Sequence, residues 1–151
     1  MDKIDFLISQ DSALIDQAIE LHNQVFNETK ATQYNDKSEW VRKINSGGYF
    51  VACTHDSQVV GYSVCDTTEK GEFKIWLAGV DPRFRQHGIW SDMYKNIKTF
   101  ALNQNHDYVL LNTKPDQFPA MWRFLQKSDA KVYKKEMTTD GEKYFAKIYI
   151  P

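Results

Sequence analysis

Residues 80–90 combine basic side chains, a glycine and the start of a helix in a pattern that can hold phosphate. The stretch reads Val-Asp-Pro-Arg-Phe-Arg-Gln-His-Gly-Ile-Trp. The first N–H groups of a helix have no intrahelical acceptor, and the helix dipole adds partial positive charge at that end. Gly88 lets a ligand approach the backbone closely, and Arg83 and Arg85 add charged, forked donors. An ordinary basic turn between a strand and a helix is the alternative.

The segments on either side of this turn favour a strand and a helix. Phe73 to Val80 is rich in strand-forming residues, and Pro82 ends any ladder because it has no N–H to donate. After the turn the apolar residues follow the helical period, at Ile89, Met93, Ile97 and Phe100/Ala101. The turn is therefore predicted to lie where helix amides can meet an anion.

This arrangement resembles the signature of the GNAT superfamily of acyl-CoA-dependent N-acyltransferases. In that family a strand ends in Val-x-Pro and is followed by Arg/Gln-x-x-Gly-x-Gly/Ala and a long helix. The residues that match in order are Val80, Pro82, Arg85 and Gly88. Trp90 stands where the family has Gly or Ala. We expect Trp90 to pack against the sheet face of its own helix and to leave room for the ligand.

A second stretch downstream is similar to another part of the family pattern. Tyr108 to Thr113 reads as a buried strand, and a helix with proline in its first turn follows at Pro119 to Lys127. Asn112 matches the family's Asn, whereas Phe124 stands where its Tyr is expected. The two motifs together span residues 73–131.

The resemblance implies that acetyl-CoA is the co-substrate. Its pyrophosphate would lie on the turn and the first helical residues, Arg85, Gln86, His87, Gly88, Ile89 and Trp90. A surface role for His87 is the alternative. The pantetheine arm would enter a slot where two parallel strands splay apart, its amides pairing with free backbone near Ala78 and Val80. Asn112 and Phe124 complete the expected cofactor-binding set, with the Phe124 ring at the thiol end.

Transfer of an acetyl group to an amine needs a base and a donor for the developing oxyanion. Glu72 is the candidate base, because strand alternation puts it on the same face as Ala78 and Val80. The alternative is a solvated carboxylate at the end of a strand. The Val80 amide is the candidate oxyanion donor. Phe124 cannot protonate the leaving thiolate, so Tyr108, Tyr133 or a water is left as donor, in no ranked order.

Gly79 is one residue before the end of its strand, where glycine often marks a bulge. A bulge there would separate this strand from the one that contains Asn112 and so open the slot. The alternative is that Gly79 only relieves crowding beside Trp76 and Trp90.

The order of predicted elements is β-α-α-β-β-β-α-β-α-β-β, an α+β fold in one domain, residues 1–151. Asp11-Ser12 and Asp36 are the predicted caps of the first two helices, and the third helix is predicted over Ile89 to Asn103. The resemblance implies a GNAT-like, mixed and mostly antiparallel sheet flanked by helices, with a parallel splayed pair at the cofactor slot. A hairpin centred on Asp56-Ser57 would pair Cys53 with Val60 and Cys65 with Gly48, which makes a disulfide between the cysteines unfavourable. The closing hairpin, around Asp140-Gly141, offers a sheet edge for a homodimer.

Composition limits the classes of function. The 151 residues include 19 basic and 20 acidic side chains, and a net charge of −1 argues against a nucleic-acid binder. No apolar run reaches membrane-spanning length and the start lacks the apolar core of a signal peptide, so we expect no membrane association and a cytoplasmic location. The four histidines do not cluster at metal-ligand spacing, and no metal site is expected.

We therefore expect an N-acetyltransferase that acts on a primary amine by direct attack in a ternary complex. A catalytically silent acyl-CoA-binding or sensing module is the first alternative, favoured by Phe124, and an interaction domain without a ligand is the second. The acceptor, a small-molecule or peptide amine, would be shaped by Asn27 to Ser46 and the closing hairpin. Neither segment selects among a polyamine, an antibiotic, an amino acid and a protein terminus.

Overall fold

The computed structural model describes residues 5–8, 12–26, 36–85, 87–139 and 141–150. Four helices lie in this part of the chain: α1 (Ser12–Phe26), α2 (Lys37–Asn45), α3 (Ile89–Asn103) and α4 (Pro119–Lys127). The strands found there are β1 (Asp5–Ile8), β2 (Tyr49–His55), β3 (Gln58–Thr67), β4 (Phe73–Val80), β5 (Tyr108–Thr113), β6 (Lys131–Thr138) and β7 (Gly141–Tyr149). The predicted helix cap at Asp11, the turn residue Asp140 and residues 27–35 of the acceptor segment lie outside the described residues.

The strands form one mixed sheet in the order β1-β2-β3-β4-β5-β7-β6. β4 and β5 pair in parallel, whereas β1 with β2, β2 with β3, and β7 with both β5 and β6 pair antiparallel. α3 connects the parallel pair, because parallel strands need a long crossover. The predicted α+β fold with a mostly antiparallel sheet and a parallel pair is confirmed.

The predicted bounds of β4, α3, β5 and α4 agree with the structure to the residue. The side chains of Ile89, Met93, Ile97 and Ala101 on α3 are all buried, as the helical period indicated. Phe100, the alternative last member of that stripe, is half-buried. The predicted cap of α2 is also present, since the Asp36 side chain accepts a hydrogen bond from the Ser38 N–H at 3.0 Å.

The β2–β3 hairpin turns at Asp56-Ser57 as predicted, but the predicted register was wrong. Cys53 lies opposite Gly61 and Cys65 opposite Tyr49, because the ladder shifts between Cys53 and Thr54. A bulge of this kind adds an unpaired residue to one strand, and neighbouring sequence gives no warning of it. Both cysteines are buried and free. Burial raises the pKa of the Cys53 thiol to about 12 and that of Cys65 further, so neither is an activated nucleophile.

The chain divides into two compact units, each of which has its own core. The first unit comprises the described parts of Met1–Asp66 together with Leu77–Ile97. Its centre is Tyr62, whose hydroxyl is hydrogen-bonded to His22 Nδ1 at 2.5 Å and whose ring packs against Trp40. His22 and Trp40 are themselves almost fully buried. His22 is therefore a core residue hydrogen-bonded to Tyr62.

The second unit comprises the described parts of Thr67–Trp76 and Lys98–Pro151. On one face of its strands the ring of Phe73 packs against Phe100 at 5.8 Å, and Trp122 of α4 meets Tyr144 edge-on at 5.0 Å. The buried side chains of this face also include Ile75, Val109, Leu111, Ala146 and Ile148. Residues of opposite parity along β5 and β7 therefore point away from this core.

No helix in the described part of the chain is long and apolar enough to cross a membrane.

Candidate active site

The turn between β4 and α3 is a short 3-10 helix, Pro82–Phe84, held by Asp81. The Asp81 N–H donates to the Val60 carbonyl at 2.8 Å, which ties the turn to β3. Its carboxylate accepts the Arg83 N–H at 2.9 Å, and Pro82 presets the backbone of the first helical position. The direction in which the chain enters α3 is set by these local bonds.

Arg83 does not supply the free positive charge that the sequence suggested. Its Nε and Nη2 atoms donate to the two Asp81 carboxylate oxygens at 3.2 and 2.7 Å. The hydrogen bonds from Arg83 hold the pKa of the Asp81 carboxyl below its ordinary value. The basic residue left for a phosphate is Arg85, which is exposed and takes part in none of the ion pairs among the described residues.

Gly88 joins this turn to α3 in the left-handed region, at φ +73°. Its carbonyl accepts the Asp92 N–H at 3.0 Å, so the N–H groups of the three residues in between precede the first intrahelical bond. A Cβ built on Gly88 would meet no atom within 4 Å. The start of α3 therefore places the first helical amides next to the open space at Gly88, the geometry that binds anions at helix N-termini.

The other predicted residues of this motif occupy different environments. The Ile89 side chain is buried, so only its backbone N–H could meet a ligand. Trp90 is half-buried and packs along the helix against Tyr94, with ring centroids 6.1 Å apart. His87 is exposed, 6.4 Å from the Phe84 ring. Gln86 lies outside the described residues.

The end of β4 passes directly over the ring of Tyr62. A Cβ added to Gly79 would come within 2.7 to 2.9 Å of three atoms of the Tyr62 side chain. Glycine is required there by close approach, and the residue it approaches is Tyr62; the alternative prediction, crowding beside Trp76 and Trp90, named the wrong neighbours. Ala78 and Val80, the predicted pantetheine and oxyanion positions, flank this glycine and are half-buried.

The parallel ladder between β4 and β5 is short. It pairs Phe73 with Val109, Lys74 with Leu110 and Ile75 with Leu111, and it ends there. β4 itself continues to Val80, and β5 continues to Thr113 in a ladder with β7. These β4–β5 pairs therefore do not extend to Leu77–Val80, the last four residues of β4.

Glu72, the candidate base, is anchored immediately before β4. Its N–H donates to Thr68 Oγ1 at 3.1 Å and its carbonyl accepts the Thr68 N–H at 2.8 Å. The half-buried carboxylate accepts the Tyr108 hydroxyl at 2.7 Å, a bond that raises the pKa of Tyr108. Burial and the Glu72 charge raise the pKa of Tyr133 as well. Glu72 is therefore an oriented carboxylate. Of the two tyrosines considered as proton donors, Tyr108 donates a hydrogen bond to Glu72, and the Glu72 charge contributes to the raised pKa of Tyr133.

Asn112 and Phe124 lie in the second unit, on β5 and α4. Asn112 is half-buried and pairs with Phe145 of β7, so both side chains point away from the unit's core. Phe124 is half-buried. Its carbonyl accepts hydrogen bonds from the N–H and the hydroxyl of Ser128, the residue that caps the C-terminal end of α4. The structure thus groups Glu72, Asn112 and Phe124 in one unit and residues 78–90 in the other.

Two contacts of the site were not predicted from the sequence, the Asp81–Arg83 ion pair and the Glu72–Tyr108 hydrogen bond. The Asp81–Arg83 pair could have been found, since an Asp two residues before a basic residue at a Pro-containing turn is a common local cap. The Glu72–Tyr108 bond joins residues 36 positions apart, and it depends on the parallel register. No group of three or more His, Cys, Asp or Glu side chains in the described part of the chain could hold a metal ion.

Known proteins share this architecture. The model of the acetyltransferase (GNAT) family matches residues 15–129. No curated protein matches the sequence. A GNAT-family protein from Desulfovibrio desulfuricans is similar with a TM-score of 0.82 at 12% identity, over 99% of this chain and 100% of that chain. A GNAT-family acetyltransferase from Staphylococcus aureus gives 0.80 at 16%, over 99% and 100%. An aminoglycoside 6'-N-acetyltransferase complexed with coenzyme A gives 0.75 at 12%, over 99% and 97%.

Proposed function

Because the chain belongs to the acetyltransferase (GNAT) family, we propose that it moves an acetyl group from acetyl-CoA to a primary amine by direct attack in a ternary complex. The observation that carries the proposal is the start of α3, where Gly88 leaves open space beside the N–H groups that precede the first intrahelical bond, inside the family's matched range. Coenzyme A in the related aminoglycoside acetyltransferase supports the choice of co-substrate.

The pyrophosphate is bound by backbone rather than by a cage of side chains. The amides after Gly88 donate to it, the α3 dipole adds partial positive charge, and Arg85 contributes a full one. His87 contributes through its backbone. Support comes from the exposed positions of Arg85 and His87 and from the absence of any atom near the Gly88 Cβ position.

The thioester end is assigned to the last residues of β4. The pantetheine amides pair with backbone at Ala78 and Val80, and the Val80 N–H donates to the oxyanion that develops on the thioester carbonyl. The end of the β4–β5 ladder at Ile75 supports this assignment, because strand backbone without a ladder partner must bond elsewhere. Asn112 and Phe124 complete the cofactor-binding set, the Phe124 ring excluding water at the sulfur.

Glu72 receives the proton of the attacking amine. The amine nitrogen forms a bond to the thioester carbon, the carbon–sulfur bond breaks, and the sulfur leaves as thiolate. Glu72 lies eight residues before Val80, roughly 26 Å along an extended strand, so the proton reaches its carboxylate along a chain of several waters. The hydrogen bond from Tyr108 orients the carboxylate, which favours a specific proton acceptor over a freely rotating surface group.

The alternative is a module that binds acyl-CoA without turning it over. Phe124 favours it, because an apolar ring at the position of the family's acid cannot protonate the leaving thiolate. A thiolate of pKa near the ~8.5 of a cysteine is still a fair leaving group unaided. Loss of a general acid typically costs about 10²–10⁴-fold in rate, which slows transfer without abolishing it.

Thiol release from acetyl-CoA with a library of primary amines tests the proposal. Release that depends on an amine and yields one N-acetyl product per thiol supports transfer. Tight binding of acetyl-CoA with no release for any amine would establish the silent module instead. Failure to bind any CoA ester, measured by calorimetry, would contradict both and leave an interaction domain.

A further inference from the structure

Strand pairing in the second unit places lysines on the face of its sheet that is opposite the core. Lys74 pairs with Leu110, Leu110 with Lys147, and Lys147 with Lys131. Directly paired residues point to the same side of a sheet, and neighbouring strands lie about 4.8 Å apart. The three lysines therefore extend from one side of the sheet, over three strand spacings or roughly 14 Å.

A β-bulge in β6 adds an aromatic side chain to the same face. The register shifts between Val132 and Lys134, so Tyr133 is the extra residue of β6. Its ring centroid lies 6.4 Å from that of Phe145, the partner of Lys134, and 5.7 Å from the Lys147 Nζ. A bulge of this kind re-aims a side chain. Here it brings two consecutive residues, Tyr133 and Lys134, to one face, which regular alternation would separate.

Two tyrosines of this face are exposed to solvent. Tyr133 is 53% exposed and Tyr149 57%. Tyr149 pairs with Tyr108 on β5, and their ring centroids are 5.8 Å apart. Tyrosine is enriched at protein interfaces, because it offers a large apolar ring together with a hydroxyl group that forms hydrogen bonds. Exposed tyrosines among charged side chains are typical of a surface that binds another protein.

Lys147 is a positioned charge among these rings. Its Nζ lies 4.3 Å from the centroid of the Tyr108 ring, 5.7 Å from Tyr133 and 6.0 Å from Tyr149. Cation–π attraction at such distances fixes the ammonium group without neutralising it. Lys131 lies directly opposite, and two like charges in that position destabilise a sheet. Neither lysine takes part in an ion pair among the described residues, so an anion bound between them would relieve the repulsion.

The face as a whole has an excess of positive charge. In the described residues of β4 to β7 and at Glu72, strand parity gives it five lysines and two glutamates: Lys74, Lys131, Lys134, Lys143, Lys147, Glu72 and Glu136. These side chains, with Tyr108, Tyr133, Phe145 and Tyr149, are named here the lysine face. The complete chain has a net charge of −1. The positive excess is therefore local, and it attracts an anionic group that is short enough to stay on this face.

The lysine face suits carboxylates better than nucleic-acid bases. Single-stranded nucleic acids bind such surfaces by stacking their bases on aromatic rings. On this face the Nζ atoms of Lys134 and Lys143 stand over the Phe145 ring at 4.9 and 5.1 Å, and Lys147 stands over Tyr108. Lysines thus occupy ring faces on which bases would stack. A carboxylate needs no ring face, because it binds the ammonium groups themselves.

We propose that the lysine face is a docking surface for an acidic polypeptide segment of a partner protein, whose carboxylates bind Lys131 and Lys147. An extended chain advances about 3.3–3.6 Å per residue, so four or five residues reach from Lys131 to Lys74. The exposed tyrosines pack against the apolar parts of the segment. This surface lies entirely in the second unit. The inference goes beyond the proposed function, since docking does not depend on acetyl transfer.

Hexaglutamate is the probe that tests the inference, and hexaglutamine is its uncharged counterpart. Six extended residues span about 20 Å, which is more than the distance between the outer lysines of the row. NMR titration of the isotope-labelled protein with hexaglutamate at low salt should shift the amide resonances of Lys131, Tyr133, Lys147 and Tyr149. Hexaglutamine should leave them in place. A rise in ionic strength from about 0.01 M to 0.15 M should weaken binding, because the Debye length falls from about 30 to 8 Å.

Lys131→Gln/Lys147→Gln is the informative double variant, and Lys127→Gln/Lys135→Gln is its matched control. Both remove two positive charges. Lys127 lies on α4, however, and Lys135 pairs with Tyr144 on the opposite face of the sheet. The first variant should raise the Kd for hexaglutamate about tenfold or more, the size of two close charge contacts at a protein surface. The control should stay within about twofold of the wild type, because distant charges are screened.

Every outcome of the titration decides the inference. A loss of affinity in the first variant alone supports the docking surface. It is overturned by equal affinity in the two variants, by the absence of shifts, or by shifts confined to other residues. A thymidine hexanucleotide that binds the same residues as tightly as hexaglutamate overturns it in favour of nucleic acid. If the double variant does not fold, Lys131→Gln at an exposed position replaces it; an about threefold higher Kd supports the inference, and an unchanged Kd overturns it.

Discussion

Replacing Gly88 with aspartate should abolish most of the affinity for coenzyme A. The residue is at φ +73°, and a Cβ there would meet no atom of the described residues beyond its chain neighbours within 4 Å, so the change does not displace a packed neighbour. What changes is the charge beside the amides that start α3. A carboxylate at the proposed approach point repels the pyrophosphate and blocks its access to the backbone.

The size of the effect follows from Coulomb's law. A unit charge about 5 Å from another costs roughly 0.8 kcal/mol in bulk water and about 3 kcal/mol at an effective dielectric constant of 20. Gly88 is exposed, which favours the lower figure, but a pyrophosphate carries two charges. The sum is about 1.6 kcal/mol or more, which corresponds to a rise in Kd of roughly tenfold or greater.

Gly47→Asp is the matched control, because Gly47 is at φ +82° and also has nothing within 4 Å of its Cβ position. An L residue in this region costs roughly 1–2 kcal/mol of stability at either site. Thermal unfolding should therefore shift similarly in both variants, whereas calorimetric titration with coenzyme A should weaken only in Gly88→Asp. Wild-type affinity in Gly88→Asp, or equal losses in both variants, would refute the reasoning.

Substitutions at three other positions have expected outcomes. Glu72→Gln should lower turnover about 10²-fold or more at neutral pH and less at alkaline pH, where more of the amine is already deprotonated; a loss that does not vary with pH would reduce Glu72 to a structural role. The same variant removes the charged acceptor that raises the pKa of Tyr108, so the titration of that phenol should move to lower pH. Phe124→Tyr should raise turnover, up to about 10²-fold and most clearly below pH ~8.5, by supplying a proton to the thiolate; unchanged rates across that range would contradict the assignment of α4. Gly79→Ala should lower the free energy of unfolding by about 1–3 kcal/mol, measured by denaturant, because the methyl group overlaps the Tyr62 ring. An unchanged denaturant midpoint would mean that β4 moves away from Tyr62 without a cost in stability.

The local elements of this chain could be predicted because their signals lie between near neighbours. The period of apolar residues defined the buried face of α3, and Pro119 marked the first turn of α4. Asp36 was identifiable as the cap of α2 for the same reason, since a cap and its helix are adjacent in sequence. The Arg-x-x-Gly turn could be located with them, because the residues that build it are consecutive.

Relations between distant segments were decided by the tertiary structure. The bulge after Cys53 moved the β2–β3 register by one residue, and a single shift changes every pair beyond it. Position 79 requires glycine because a Cβ there would overlap the Tyr62 side chain. No residue pattern near Gly79 predicts this contact. The ion pair between Arg83 and Asp81 is an exception, because these residues are near neighbours in the sequence. It removes the free positive charge that Arg83 was expected to offer a phosphate.

The lysines of the second unit's sheet show this division most clearly. Each lysine is visible in the sequence, and alternation tells which residues of one strand share a face. Whether Lys74, Lys131 and Lys147 meet on the same face depends on the registers of β4, β5, β7 and β6, which are set by packing across the sheet. The sequence determined the elements through short-range backbone and side-chain preferences; the pairing of those elements, and with it the charge around Glu72, arose only when burial selected one register.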